Sequence, residues 1–202
     1  MIVRHWMTTN VVTANKEASI QEALALMKQH SIRHLPVVNK DNSLLGWVTD
    51  ADLRGVLIAS MLEELSLLDV MVRKPHEAHP EMRLEDAAHL ILNKRIGGMP
   101  VVDEGRLVGI ITVVDILSAF ITMMGMLAHS SRLDVRISAP PRPLDKITRL
   151  IHNHHAEIIS ICHLPEMEGR ANVYSIRLKK CDLGPIVTDM EKDGIEVVSS
   201  IP

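Results

Sequence analysis

The sequence repeats itself, and no other feature narrows its possible folds so far. Shifted by about 64 residues, the chain overlays on itself. Met7 falls on Met71, Ala14 on Ala78, Glu17 on Glu81 and Ala23 on Ala87. Ile32-Arg33-His34-Leu35-Pro36-Val37-Val38 falls on Ile96-Gly97-Gly98-Met99-Pro100-Val101-Val102. One residue is lost in the next turn, after which Leu44-Leu45-Gly46-Trp47-Val48-Thr49-Asp50-Ala51-Asp52 falls on Leu107-Val108-Gly109-Ile110-Ile111-Thr112-Val113-Val114-Asp115. Glycine, proline and Thr-x-x-Asp recur in the same order. The copies span 1–63 and 64–126.

Each copy predicts the same elements. Ser19 with Glu22 three residues on is a capping-box signature. Ile20, Ala23, Leu24 and Met27 then follow the spacing of one helix face, as do Leu84, Ala87, Ala88 and Ile91. Two apolar runs, 35–38 and 44–49, flank the polar cluster Asn39-Lys40-Asp41-Asn42-Ser43, which reads as strand, turn, strand. A second helix is expected after Asp52, and its copy after Asp115. The unit is strand–helix–strand–strand–helix. One unit of about 60 residues buries little surface alone, so two copies are expected to share a core.

Matching stops near Met126, and 131–202 follows another pattern. Leu133, Val135 and Ile137 alternate with Asp134 and Arg136, as in a half-buried strand. Ala139-Pro140-Pro141-Arg142-Pro143 interrupts, and Leu144, Ile147, Leu150 and Ile151 predict a helix. Apolar runs at 158–162 and 173–178 flank a turn containing Pro165, Glu166, Glu168 and Gly169. Leu183, Ile186, Val187 and Met190 predict a second helix ended by Gly194, and 195–199 a last strand. The order βαββαβ is the ferredoxin-like split unit.

The repeats resemble cystathionine β-synthase-type (CBS) domains, which work as tandem pairs forming a flat disc. The last third is similar in topology to ACT-type regulatory domains, although its first strand–helix turn carries Pro141-Arg142-Pro143 where those usually have glycine. The order of parts is similar to the AcuB family of acetoin-utilisation accessory proteins. The fold class implied is α/β (α+β): a CBS pair followed by a ferredoxin-like ACT-type domain.

The resemblance implies a regulatory, non-enzymatic sensor that binds an adenosine-containing nucleotide (AMP, ADP, ATP or S-adenosylmethionine), forms a homodimer and modulates an unidentified protein partner. It gives Thr49/Asp52 and Thr112/Asp115 to the site. Each aspartate would accept from ribose hydroxyls and each threonine would donate to phosphate, beside a helix N-terminus that suits an anion. The alternative is that both aspartates only stabilise a first helical turn. Arg33 and His34 would contact phosphate, or be solvated loop residues. Their counterparts are Gly97 and Gly98, so the two sites are expected to be unequal. Backbone near Val12 and His76 would read the adenine edge. Ile32, Ile96, Val48 and Ile111 would wall the pocket, or simply belong to the core.

Composition bounds the other classes. A net charge of −3, with 22 basic and 25 acidic residues interleaved, lacks the basic stripe of a nucleic-acid binder. Aromatics make up only 2%, so the cores must be aliphatic. The N-terminus shows no apolar signal segment. The longest apolar stretch, 116–128, falls short of the roughly 20 residues of a spanning helix. A cytoplasmic protein without a membrane partner is expected. Cys162 and Cys181 read as reduced, buried structural thiols. His152, His154 and His155 do not share one helix face, so no metal is expected. Met123, Met124 and Met126 suggest core or dimer contact. No nucleophile–base order or Gly-rich phosphate loop supports an enzyme. A structural interaction module binding no nucleotide is the second reading.

Overall fold

The structure, a computed structural model, describes residues 1–58, 65–127, 129–137, 143–164 and 172–202. Two compact units, Met1–Leu117 and Ser118–Pro202, divide inside the helix Val113–Met123, ahead of the expected boundary at 126/131. The expected boundary at 63/64 and the turns at 139–142 and 165–169 lie outside the described residues.

In the first unit, α1 (Ile20–Gln29) begins at the expected capping box, with Ser19 and Glu22 exchanging backbone and side-chain bonds. The antiparallel hairpin of β1 (His34–Val38) and β2 (Leu44–Thr49) follows, then α2 (Asp50–Val56). After a four-residue helix, α3 (Leu67–Val70), the second copy runs α4 (Leu84–Lys94), β3 (Gly98–Asp103), β4 (Arg106–Thr112) and α5 (Val113–Met123). Both hairpins break register at the same place, between Val37 and Val38 and between Val101 and Val102. The strand expected ahead of each first helix is reduced to a single parallel bridge, Ala14 to Val37 and Ala78 to Val101.

The cores agree position by position. Ile20, Ala23, Met27, Leu35, Val37, Val48 and Leu53 are buried in the first half, and Leu84, Ala87, Ile91, Met99, Val101, Ile111 and Ile116 in the second. The halves also exchange their leading segments. Leu67, which opens the second copy, belongs to the first half's core, and Leu67 N–H donates to the Ala18 carbonyl. Val3, its counterpart, is buried and donates to the Met82 carbonyl. Trp47 on β2 then pairs with Val72, and Ile110 on β4 with Thr8.

Gly46 and Gly109 make this exchange possible. A Cβ on Gly46 would lie 2.5 Å from Met71 Sδ and 3.0 Å from the Val72 carbonyl oxygen. On Gly109 it would lie 2.8 Å from Met7 Sδ and 3.0 Å from the Thr8 carbonyl oxygen. Only a residue without a side chain lets the exchanged segment lie so close.

The second unit contains β5 (Ser130–Arg136), α6 (Pro143–Asn153), β6 (Ile158–His163), β7 (Val173–Lys179), α7 (Gly184–Lys192) and β8 (Glu196–Ile201). The four strands are antiparallel in the order β6-β7-β5-β8, which is the ferredoxin-like arrangement. Leu133, Val135, Ile147, Ile151, Ile176 and Met190 lie in its core.

Three expectations need correction here. Asp134 is buried, and Arg132 holds its two oxygens at 2.9 and 2.7 Å. A carboxylate can occupy an inner strand position only when so paired. Cys162 and Cys181 are free but half-exposed. Met123, Met124 and Met126 are exposed, which removes the core from their two expected roles and leaves dimer contact. Among the described residues no helix is long and apolar enough to cross a membrane.

Candidate functional site

Thr49 is the pivot of the first half. Its backbone ends β2 and its side chain caps α2. Both Thr-x-x-Asp aspartates therefore lie inside their helices, not ahead of them. Thr49 Oγ1 donates to Asp52 Oδ2 at 2.6 Å, Thr49 N–H donates to the same oxygen at 3.1 Å, and Asp52 N–H returns a bond to Thr49 Oγ1 at 3.2 Å. Thr112 and Asp115 repeat the motif at 2.6, 2.8 and 3.4 Å.

This geometry changes the expected roles. The threonine proton is already spent on the aspartate. An N–H of the seven-residue α2 is already capped, and Asp50 and Asp52 both sit in its first turn. The helix end is thus a poor phosphate seat. Capping and ligand binding are not alternatives for Asp52, because only Oδ2 is used. Its Oδ1 accepts nothing among the described residues.

A cavity of about 950 Å³ opens beside this motif. From the first half it is lined by Arg33, His34, Trp47, Thr49 and the start of α2, including Arg54. From the second it takes Lys74-Pro75-His76 and Arg95-Ile96-Gly97-Gly98. Five of the expected residues, Arg33, His34, Thr49, Asp52 and His76, therefore converge. So does Ile96 among the expected walls. Val48 and Ile111 are wholly buried, and Ile32 packs on the first half's core. Val12, Thr112 and Asp115 do not line this cavity, and Val12 packs on the first core.

The His34 ring lies 5.5 Å from the Trp47 ring, tilted by 31°. It also rests on Gly97, where a Cβ would come within 2.7 Å of Nε2. Burial first, and then the neighbouring Arg33 charge, push the imidazole pKa below its usual value, against a smaller pull from Asp52. His34 is therefore a neutral hydrogen-bonding group near neutral pH. The Asp50 carboxyl is held below the usual range chiefly by its bond from Arg54 at 2.7 Å.

The sequence reading missed Lys74, Arg95 and Trp47. A signal existed for the first two, since each charge stands where the other copy has a neutral residue, Asn10 and Ser31.

The family model of the CBS domain matches residues 3–59 and again 67–122, more than half of the chain. The chain belongs to the CBS domain family. Its CBS pair is 36% identical over 115 residues to the CBS domain-containing protein YhcV of Bacillus subtilis, covering 56% of this chain and 81% of that one. It is 35% identical over 123 residues to the uncharacterized protein MJ1225 of Methanocaldococcus jannaschii, covering 61% of this chain but only 42% of that protein.

Solved structures resemble it over the same region. CBSX2 of Arabidopsis thaliana in complex with AMP is 29% identical, with a TM-score of 0.56 over 60% of this chain and 96% of that one. The CBS pair of MJ0100, in complex with 5′-methylthioadenosine and S-adenosyl-L-methionine, is 30% identical, with a TM-score of 0.55 over 59% and 95%. A Vibrio cholerae acetoin utilization protein, AcuB, is 31% identical, with a TM-score of 0.58 over 62% and 96%.

Proposed function

We propose that the CBS pair is a regulatory sensor for an adenosine-containing nucleotide, that its main site is the cavity between the halves, and that the protein is not an enzyme. The observation that carries this reading is the convergence of Thr49, Asp52, Arg33 and His34 from one copy with Lys74, His76, Arg95 and Gly97 from the other. The cavity has the volume of a small-molecule site. With Oδ2 held by Thr49, Asp52 offers Oδ1 to a ribose hydroxyl. Arg33 supplies a permanent charge and a planar donor fork for phosphate. The AMP bound by CBSX2 and the S-adenosyl-L-methionine bound by the MJ0100 pair support the ligand class.

The related positions Val12, Thr112 and Asp115 form a second, weaker site in this reading. It lacks counterparts of Arg33 and His34 and would tolerate ligands without phosphate. The strand order of the C-terminal unit supports an ACT-type regulatory domain. A cytoplasmic homodimer that acts on a protein partner completes the proposal.

The test is calorimetric titration of the full chain with adenosine, AMP, ATP and S-adenosylmethionine. Saturable binding, weakened by Asp52→Asn, is expected. Absence of binding by all four would replace this reading with the interaction module. That alternative draws on Val113, Val114 and Leu117, which expose apolar surface on α5.

A further inference from the structure

Three of the cations lining the cavity, Arg33, Lys74 and Arg95, hold no salt bridge among the described residues; Arg33 acts on Asp50 only at longer range. The cavity's carboxylates leave it net positive: Asp50 is engaged by Arg54, and Asp52, its side chain bonded among the described residues only to the neutral Thr49, can offset at most one of the three. The repeat supplies an internal control. The counterparts of Arg33, Lys74 and Arg95 are Gly97, Asn10 and Ser31, all neutral. The same unit therefore folds without a cation at any of the three places.

Arg95 is the most telling of the three. It caps α4 in the left-handed backbone region, with φ 54°, and Ser31, just after the His30 cap of the first half's helix, has φ 55°. Glycine or asparagine usually takes such a position, because a side chain there carries a backbone cost. Arg95 bears that cost, and its side chain forms no hydrogen bond or ion pair among the described residues. The same turn at Ser31 carries no cation and lies off this cavity, so the turn belongs to the repeat, and what singles out Arg95 is a guanidinium at the cavity wall, unpaired among the described residues.

We propose that Arg95 and Lys74, together with Arg33, receive the outer phosphates of a nucleoside di- or triphosphate, and that these two residues set the preference for phosphate chain length. The proposal rests on the adenosine reading above and deepens it. Arg33, Lys74 and Arg95 come from three separate segments of the cavity wall. A single phosphate offers them one point with three oxygens and a charge of about −2, whereas each further phosphate adds acceptors and charge further along the wall that a guanidinium or ammonium group can bind.

The experiment is titration of the full chain with adenosine, AMP, ADP, ATP and inorganic tripolyphosphate at fixed ionic strength, on the wild type, Arg95→Gly and Lys74→Ala. Affinity should rise from adenosine to ATP, with ATP at least about tenfold tighter than AMP, the scale of one charge-assisted bond. Each variant should narrow the ATP-to-AMP ratio and leave adenosine unchanged. Arg95→Gly should melt at or above the wild-type temperature, since it relieves the left-handed backbone, so its loss of ATP affinity cannot come from unfolding. Equal affinity for AMP and ATP in the wild type, or an unchanged ratio in both variants, overturns the chain-length proposal alone. Binding of tripolyphosphate without any adenosine ligand overturns the adenosine reading.

Discussion

His34 shows how burial rewrites the role of a residue. From sequence it would gain charge as pH falls towards about 6.5 and help Arg33 with phosphate. Packed on Trp47 and Gly97, it resists the proton. The unfolded chain takes that proton at the ordinary value and the folded chain only at a lower one. Stability is therefore full above about pH 6.5 and falls as pH drops from there towards the lowered folded value. His34→Gln should flatten this part of a plot of Tm against pH; an unchanged slope would place the acid sensitivity elsewhere. Asp52 has two separable duties. Asp52→Ala should weaken nucleotide binding by about tenfold or more, the scale of a hydrogen bond to a charged group. The accompanying loss of first-turn stabilisation should cost only about 0.3–1 kcal/mol. Chemical denaturation beside calorimetry separates the two. A variant that binds normally but is less stable would leave Asp52 as a capping residue only.

At the scale of elements, the repeat made most of the first unit legible. The Ser19–Glu22 capping box, the i, i+3, i+4 stripe of α1 and the polar turn at 39–43 each act locally, and each appears where the pattern placed it. The βαββαβ order of the last third was legible for the same reason. Missed features depended on distance in sequence. Asp134 was read as solvent-facing because alternation cannot show that Arg132 pairs with it. Lys74 and Arg95 were overlooked because nothing local says that the two halves place them on the wall beside Asp52. Gly46 and Gly109 were noticed as matching letters, but the reason for glycine lies in Met71-Val72 and Met7-Thr8. Gly46→Ala and Gly109→Ala should each destabilise the protein by about 1–3 kcal/mol, because the intruding methyl meets a backbone carbonyl that cannot swing aside. Denaturant melts check this, and an effect below about 0.5 kcal/mol at both sites would mean the exchanged segments can draw back.

At the scale of the whole molecule, hydrogen exchange can locate the ligand without assuming its chemistry. ATP should slow exchange in peptides covering 33–34, 49–54, 74–76 and 95–98, and leave 173–201 unaffected. Protection confined to the C-terminal strands would move the sensor into the second unit. Exposed Val113, Val114 and Leu117 give the CBS pair an apolar surface suited to a self-complementary two-fold contact. Light scattering at micromolar concentration should return twice the chain mass, and a monomer mass would remove the homodimer from the proposal. The exchange of leading segments carries a consequence of its own. Each half closes the other's open sheet edge, Val72 along β2 and Thr8 along β4, and fills its core with Leu67 or Val3. A half expressed alone would carry its own leader with nowhere to put it, and a bare ribbon edge with nothing to cover it. Two such halves would satisfy one another. The chain is in effect two copies of one unit joined in a single polypeptide, and the joining lets the copies differ: Arg33, Lys74 and Arg95 stand where the other copy has Gly97, Asn10 and Ser31.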